Sequence, residues 1–384
     1  MASTDKIAAE GDEFKTFKDL IKEVHAKGIC GQCGGCVSFC SASEFSAIKM
    51  GENGIPVFDN EENCVKCGLC YLICPQIDAL NQELKEKFEW KFPIGKVRRI
   101  ASARNTDPQI VEVATDGGVV TGILMYLLEK KLIDGVIASK KIAPFKRVAA
   151  IIKTKKELLD TVGTRVCDLT QMDQELGNYS TYSPISFELK KYMHKDILRL
   201  AVVGTPCQIH TIRKMQILGV IPAHIIKYML GLFCTENFYF TEKTRKKFEE
   251  KHKFRFEDIK KMNLKEELSI YLKDGRVVRI PFSELDEIMR AACRACDDFS
   301  NEYADLSFGG LTSPEGYTTT ILKTKTGEDI YYGALHSGYI EENEELNKQV
   351  EKSKMLVKII NFSKYKRKRA ADFLKQVNRE KNNS

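Results

Sequence analysis

Cys30-Gly31-Gln32-Cys33-Gly34-Gly35-Cys36-Val37-Ser38-Phe39-Cys40 is the stretch on which the fold of this chain turns. Its spacing returns as Cys64-Val65-Lys66-Cys67-Gly68-Leu69-Cys70-Tyr71-Leu72-Ile73-Cys74, with Pro75 directly after. Both runs read C-x2-C-x2-C-x3-C. Three thiolates two residues apart can wrap one face of an iron-sulfur cubane. A tetrahedral zinc ion uses two C-x2-C pairs from separate knuckles, and the extra cysteines would be surplus to it. The spacing therefore favours two 4Fe-4S clusters over zinc. Gly34, Gly35 and Gly68 lie between ligands, where the backbone must bend close to the metal.

This is the spacing of bacterial two-cluster ferredoxins, in which the fourth cysteine of each run crosses to the other cluster. One cluster is thus assigned to Cys30, Cys33, Cys36 and Cys74, and its neighbour to Cys64, Cys67, Cys70 and Cys40. Ser41 follows Cys40 where proline follows Cys74, which breaks the symmetry of the repeat without removing a ligand. Ala47 to Phe58 reads as a short hairpin around Gly51 and Gly54. Asn81 to Lys91 is a charged amphipathic stretch leading to Pro93, which marks the end of the module. The expected organisation is an extension over 1–20, a two-cluster ferredoxin-like domain over 21–92, an α/β (α+β) mixed-sheet body over 97–335, and a charged helical tail over 336–384.

The rest of the chain is compatible with that reading. It has 384 residues, enough for two or three domains. Thirteen cysteines with a polar, acidic start at Met1-Ala2-Ser3-Thr4-Asp5-Lys6 argue for reduced, metal-binding thiols and a cytoplasmic location. No apolar run is long enough to span a membrane, which leaves peripheral docking through a partner open. A net charge of +7 on 60 basic and 53 acidic residues is an ordinary surface and gives no nucleic-acid footprint. The basic run Lys364 to Arg369 reads as a solvated helix face, with a docking patch for an acidic partner or anionic ligand as the alternative.

Beyond Val97, apolar runs alternate with helical patterns. Ile100 to Ala103, Gly135 to Ala138, Val148 to Ile152, Leu198 to Val203 and Ile225 to Phe233 read as strands. Val119 to Lys131, Lys155 to Val162 and Gln208 to Ile217 read as helices. The order implies βαβ units and a parallel or mixed sheet. Asp274-Gly275 marks a hairpin within Leu268 to Ile280, and Thr318 to Thr324 is expected to pair with Ile330 to Ala334 across Thr326-Gly327.

Two loops precede helices. Thr115-Asp116-Gly117-Gly118 opens the helix at Val119, and Val203-Gly204-Thr205-Pro206-Cys207 follows a buried strand, where α/β sheets bind ligands. Each could equally be a plain capped turn. Neither a G-x-G-x-x-G nor a Walker A sequence occurs. Cys207, Cys234, Cys293 and Cys296 could bring four further soft ligands together, or could be buried structural cysteines. Cys167 has no partner in this pattern and is assigned to the core. The six histidines form no metal motif, and His210 reads as a packed helix residue.

The body resembles the beta-subunit family of coenzyme F-420 (F420) hydrogenases and dehydrogenases. The resemblance is carried by Thr115-Asp116-Gly117-Gly118-Val119-Val120-Thr121, Val203-Gly204-Thr205-Pro206-Cys207-Gln208 and Gly231-Leu232-Phe233-Cys234. It continues through Cys293-Arg294-Ala295-Cys296-Asp297-Asp298-Phe299, Ala304-Asp305-Leu306-Ser307-Phe308-Gly309-Gly310 and Gly316-Tyr317-Thr318-Thr319. A fusion to a two-cluster ferredoxin is similar to the electron-input subunit of an archaeal F420-oxidising membrane dehydrogenase. The resemblance implies FAD, with Thr115, Asp116, Gly117, Gly118, Thr121, Gly204, Thr205, Ser307, Gly309, Gly310, Gly316 and Tyr317 as its contacts. It also implies a third 4Fe-4S cluster on Cys207, Cys234, Cys293 and Cys296. Thr115-Asp116 stands where the family has small hydroxyl residues, and Gly310 where an acidic residue often follows the first glycine.

Such a combination implies F420 as substrate, oxidised by hydride transfer to FAD, with single electrons passed through the clusters to a partner protein or complex. A flavin can accept a hydride and release electrons singly, so no side-chain acid or base is required and no catalytic residue is assigned. Lys140, Lys141, Arg147, Arg165, Arg213 and Lys214 are candidates by sequence proximity for the anionic F420 tail, against ordinary surface charge. Two alternatives are a ferredoxin-linked reductase of F420 or another organic acceptor, and a ferredoxin-type electron carrier whose body only docks partners.

Overall fold

A computed structural model describes residues 15–143, 145–161, 179–180, 185–189 and 199–382. Cys167 and Arg165 lie outside the described residues. Strands β1 (Ile48–Met50) and β2 (Pro56–Phe58) form the expected hairpin, with Ile48 opposite Phe58 and Met50 opposite Pro56. Short helices Gly35–Ala42 and Leu69–Leu72 each start after a glycine in the left-handed region, Gly34 at φ 78° and Gly68 at φ 71°. Gly34 has a second reason to be glycine: a Cβ there would lie 2.5 Å from Cβ of Phe187 in the body. At Gly35 a Cβ would lie 2.6 Å from Thr211 Oγ1. The cysteine-rich module is therefore pressed against the body at backbone distance.

The body is built on β3 (Arg99–Asn105), β4 (Gly135–Ala143), β5 (Lys146–Ile152), β6 (Tyr179–Ser180), β7 (Leu200–Gly204), β8 (Ile226–Leu232) and β9 (Tyr239–Phe240). It continues with β10 (Ile259–Leu264), β11 (Leu268–Leu272), β12 (Val277–Ile280), β13 (Leu306–Gly309), β14 (Thr318–Leu322) and β15 (Ile340–Glu342). Eight of these form one mixed sheet in the order β15-β3-β14-β13-β8-β7-β4-β5. The four central strands β13, β8, β7 and β4 are parallel, and the flanks are antiparallel.

Helices cover both faces, as a parallel core requires. Val119, Ile123, Leu124 and Leu127 pack on one face with Ile330, Tyr331 and Ala334. On the other face, Ile209, Ile212 and Met215 of the Pro206–Leu218 helix share a cluster with Phe39, Ile73 and Leu84 of the module. The module is thus part of the body's second layer. A three-stranded meander, β10-β11-β12, has its own phenylalanine-rich core and lies over the carboxyl ends of the sheet strands. Among the described residues no helix is long and apolar enough to cross a membrane.

Two expectations change, and one strand was not foreseen. Ile330 to Ala334 is not a strand. Thr324 caps a helix, Lys325–His336, by accepting from Gly327 N at 3.0 Å, and β14 already has β13 and β3 as neighbours. The turn chemistry of Thr326-Gly327 serves the first turn of a helix and not a hairpin. The segment from 336 onward is not wholly a tail, because β15 completes the sheet edge against β3. The strand β10 carries no run that the alternation singles out.

The last element, helix Gln349–Asn382, runs 34 residues, a length of about 51 Å. Met355 and Ile359 pack on Ile100, Ile321 and Phe299 of the body, while Phe373 and Leu374 reach the core of the module.

Asn301 ties the ends of β7 and β8 together. It is fully buried at φ 58° and donates to Gly204 O at 2.9 Å and Leu232 O at 3.3 Å. A Cβ on Gly231 would lie 2.3 Å from Asn301 Cγ and 2.7 Å from Ala304 Cβ. Gly231→Ala is expected to cost about 2–4 kcal/mol, from overpacking and from carbonyls stripped of their donor. Urea unfolding measures it, and a change under about 0.5 kcal/mol would mean that Asn301 steps aside freely.

Candidate functional site

The carboxyl ends of β4, β7, β8 and β13 open into a cavity of about 420 Å3, the place where open α/β sheets bind ligands. Ala138 and Ser139, Val203 and Gly204, Leu232, and Phe308 and Gly309 supply the floor. Met262 to Lys265 and Leu268 of the meander form the roof.

The two glycine-bearing loops differ in their free hydrogen-bond donors. Gly118, at φ 71°, caps the 11-residue helix Val119–Glu129, and no side chain takes up its first-turn N–H groups. Those donors face the cavity rim beside Thr115, Asp116 and Thr121, which suits an anion. Gly117 donates to Thr318 Oγ1 at 2.9 Å, and a Cβ there would lie 2.8 Å from Ala103 O, Thr318 N and Tyr317 Cα. The loop after β7 is closed by its own capping box. Thr205 N donates to Gln208 Oε1 at 2.8 Å, and the Thr205 side chain accepts from the first turn. Gly204 and Thr205 still line the cavity, but this helix end has fewer donors to offer a ligand.

Asp116 accepts from Asn263 Nδ2 at 3.1 Å and lies 3.6 Å from Lys265 Nζ. Burial raises its pKa, and Lys265 and Asn263 work against that rise. A Cβ on Gly310 would lie 2.3 Å from Asp116 Oδ1, so a side chain there would displace the Asp116 carboxylate. Gly309 abuts the Phe233 ring in the same way. Four of the residues named from the resemblance do not line the cavity: Gly117, Ser307, Gly316 and Tyr317. Ser307 is turned into the sheet, where its hydroxyl donates to Asn301 O at 3.0 Å. Tyr317 lies under the Arg104 guanidinium, 5.1 Å from its centre.

The twelve cysteines among the described residues fall into three groups by mutual influence on ionisation. Burial pushes every affected thiol up, and neighbouring thiols push further. Cys33 feels Cys207, Cys74 and Cys30, and Cys36 feels Cys33 and Cys30 before Cys70 and Cys74. Cys74 is raised to about 12, by burial first and then by Cys30. Cys40 feels Cys64 and Cys67, and Cys70 feels Cys67, Cys64 and Cys40. The structure therefore brings Cys74 to the first run and Cys40 to the second. Cys234 feels Cys293, Cys296 and Cys207, and Cys296 is raised to about 12 by burial, with Cys207 adding to it.

These groups adjoin one another and the cavity. Cys234 is itself part of the cavity wall. A Cβ on Gly31, between Cys30 and Cys33, would lie 3.9 Å from Cys207 Cβ. Arg290 donates to Gly31 O at 3.2 Å and so joins the first run to the stretch of chain that carries Cys293. Among the described residues no three metal-binding side chains converge on a single-ion site. Sets of four thiols are the donor chemistry that iron-sulfur clusters use.

The basic run of the last helix is not a solvated face. Lys364 and Lys368 are exposed, but Lys366 is 1% exposed and donates to Cys234 O at 2.6 Å and Asp298 O at 2.8 Å. Burial disfavours its charge, while Cys296, Cys234, Cys293 and Asp298, when they are ionised, favour it and shift its pKa upward. Arg369 donates to Glu236 at 2.7 Å and to Cys293 O at 3.4 Å, while Arg367 reaches Pro93 O, Asp297 and Glu302.

Two of the basic candidates for an anionic tail are also scaffold. Arg213 pairs with Asp305 at 2.9 Å and donates to Tyr303 O, and Lys214 donates to Cys74 O at 2.9 Å and to Ile77 O at 2.5 Å. Lys214 therefore fastens the module to the body. His210 is a packed helix residue held by Asn81 at 3.0 Å. Arg147 alone of the six candidates lines the cavity among described side chains, and Lys265, Asn263 and Glu236 join it unannounced by any local motif.

Comparison with known proteins agrees with this architecture. The family model for the N-terminal part of the coenzyme F420 hydrogenase/dehydrogenase beta subunit matches residues 100–176, and the model for the C terminus of the same subunit matches residues 197–348. The chain is 34% identical over 254 residues to the coenzyme F420 hydrogenase subunit beta of Methanothermobacter thermautotrophicus, covering 65% of this chain and 85% of that protein. It is 27% identical to the F subunit of the F420H2 dehydrogenase of Methanosarcina mazei, over 81% of this chain and 84% of that one. Against the coenzyme F420-dependent sulfite reductase of Methanocaldococcus jannaschii it is 29% identical over 81% of its own length, and it spans only 46% of that longer protein. A chain of the F420-reducing [NiFe] hydrogenase complex of Methanosarcina barkeri superposes with a TM-score of 0.64 at 26% identity, over 74% of this chain and 94% of that one. By fold, motif order and sequence match, the chain belongs to the coenzyme F420 hydrogenase/dehydrogenase beta-subunit family.

Proposed function

We infer that this chain is an electron-entry subunit that oxidises reduced coenzyme F420, with FAD in the cavity and three 4Fe-4S clusters on the three thiol groups. The observation that carries this reading is continuity: Cys234 belongs to both the cavity wall and the third thiol group, and Cys207 of that group abuts the Gly31 loop of the first. A flavin bound there would convert a hydride into single electrons, and the clusters would carry them onward one at a time.

The chain's own residues prepare that chemistry. The uncapped N–H groups after Gly118 suit a pyrophosphate, while Leu232, Phe233 and Phe308 give a dry floor for a ring system. Burial raises the pKa of nine of these thiols, a cost that is offset when iron binds the thiolate, so metal loading and folding would be coupled. The exit lies at the second run, where Glu61 to Lys66 is exposed and Val65 is 59% exposed beside half-buried Cys64. A partner protein would accept electrons there. A ligand-sized cavity favours this reading over a plain electron carrier.

Purified without oxygen, the chain is expected to hold about twelve irons and one FAD. Mixing with reduced F420 should bleach first the flavin and then the cluster absorbance. About eight irons and no flavin would sink the reading, and full cofactors without bleaching would remove F420 as the donor.

A further inference from the structure

Four charged side chains line the cavity: Asp116, Arg147, Glu236 and Lys265. Three are neutralised within the protein. Asp116 and Lys265 face one another at 3.6 Å, and Glu236 accepts from Arg369 at 2.7 Å. Arg147 is different. Among the described residues it makes no hydrogen bond or ion pair, and burial is the only influence on its ionisation. A guanidinium stays protonated under such conditions, so the cavity carries one uncompensated positive charge.

A second unsatisfied group lies beside it. The β4–β5 register sets Ser139 opposite Ala149 and Lys141 opposite Arg147, which puts Ser139 and Arg147 on one sheet face as diagonal neighbours. Both line the cavity, and Ser139 Oγ is buried without a hydrogen-bond partner. The buried Ser139 hydroxyl left unpaired costs free energy that a ligand could recover, and the part-buried Arg147 offers that ligand a charged donor. A tetrahedral oxyanion with several acceptor oxygens can meet a forked guanidinium and a hydroxyl donor that approach from different positions.

We propose that Ser139 and Arg147 form a phosphate subsite of the cavity, separate from the glycine loop, that receives the tail phosphate of coenzyme F420, a deazaflavin whose tail carries a phosphate and glutamate. The site rests on the functional reading above and names its specificity element. β5 lies three strand spacings from β8, after which Cys234 follows, so the subsite is roughly 14 Å across the sheet from the third thiol group. A ring stacked near Cys234 with its polyol chain lying across β7 and β4 would set its phosphate at Arg147. The glycine loop, on the β3 and β14 side, is left for the pyrophosphate of the flavin.

The test compares the whole chain with Arg147→Met and Arg147→Lys, measuring FAD per chain and KM for reduced F420 with a dye acceptor. A deazaflavin riboside lacking the phosphate serves as second substrate. The expected result is full FAD, a KM for F420 raised about ten- to hundredfold in Arg147→Met, and partial recovery in Arg147→Lys. The phosphate-free riboside should be oxidised equally well by all three. Loss of FAD in place of the KM change would overturn the deazaflavin assignment and give the phosphate to the flavin. Unchanged FAD and unchanged KM would overturn the subsite altogether. If the unsubstituted chain holds FAD but never oxidises F420, the functional reading fails and the substrate assigned to the subsite falls with it, whereas FAD loss in the variants would still give the subsite to the flavin.

Discussion

Replacing Lys366 by methionine is expected to destabilise the iron-loaded chain by roughly 3–5 kcal/mol and to release iron from the third thiol group. The ammonium is buried, and it serves the Cys234 and Asp298 carbonyls at 2.6 and 2.8 Å. Methionine fills similar volume but leaves both carbonyls without a donor, at about 1–3 kcal/mol each if no water enters. The larger part of the effect is charge. Loaded thiolates at Cys234, Cys293 and Cys296 are anions, and Lys366 is the cation packed among them. In the iron-free chain burial keeps those thiols protonated, so the same substitution should cost distinctly less. Urea unfolding of both forms, with iron counted before and after, separates the two contributions. Equal losses in the two forms would show that Lys366 acts through its hydrogen bonds alone.

Cys207→Ser should separate the two halves of the function. Cys207 is the member of the third group that faces the Cys30–Cys33 loop, so on the proposed reading its thiolate is the ligand nearest the first group, and serine keeps the Cβ contact while removing the sulfur. Iron is expected to fall by about four per chain, with FAD retained, since the glycine loop and the Phe233 and Phe308 walls are untouched. Reduced F420 should still bleach the flavin in stopped-flow, while reduction of an acceptor through the module drops to background. Undiminished acceptor reduction would mean that electrons leave the flavin by another route.

Much of this was legible from spacing. Two C-x2-C-x2-C-x3-C runs announce their module because thiolate geometry tolerates few alternatives, and the apolar runs of β3, β4, β5, β7 and β8 announce a buried sheet. The errors fall where local chemistry has two readings. Thr324 and Gly327 serve a hairpin or a helix cap equally well, and only the occupancy of both edges of β14 decides. Lys364 to Arg369 looks solvated because composition hides its 3.6-residue period: Ser363, Lys366 and Ala370 face inward while Lys364 and Lys368 do not. Asn263, Lys265 and Glu236 had no signal at all, since each reaches the cavity from an element whose placement depends on tertiary contacts.

The last helix also bears on how the chain matures. Chains leave the ribosome N-terminus first, so the two-run module is made before the body and the last helix that its core packs against. The third thiol group cannot close so early. Its wall includes Lys366 and Arg369, which arrive with the final helix and lie over the Cys234 and Cys293 carbonyls. Until that segment leaves the ribosome and docks, this side of the third thiol group stays open. The helix is therefore the last part of that wall to arrive, and a chain cut before it would lack the buried ammonium beside the third thiol group as well as Phe373 and Leu374 of the module core.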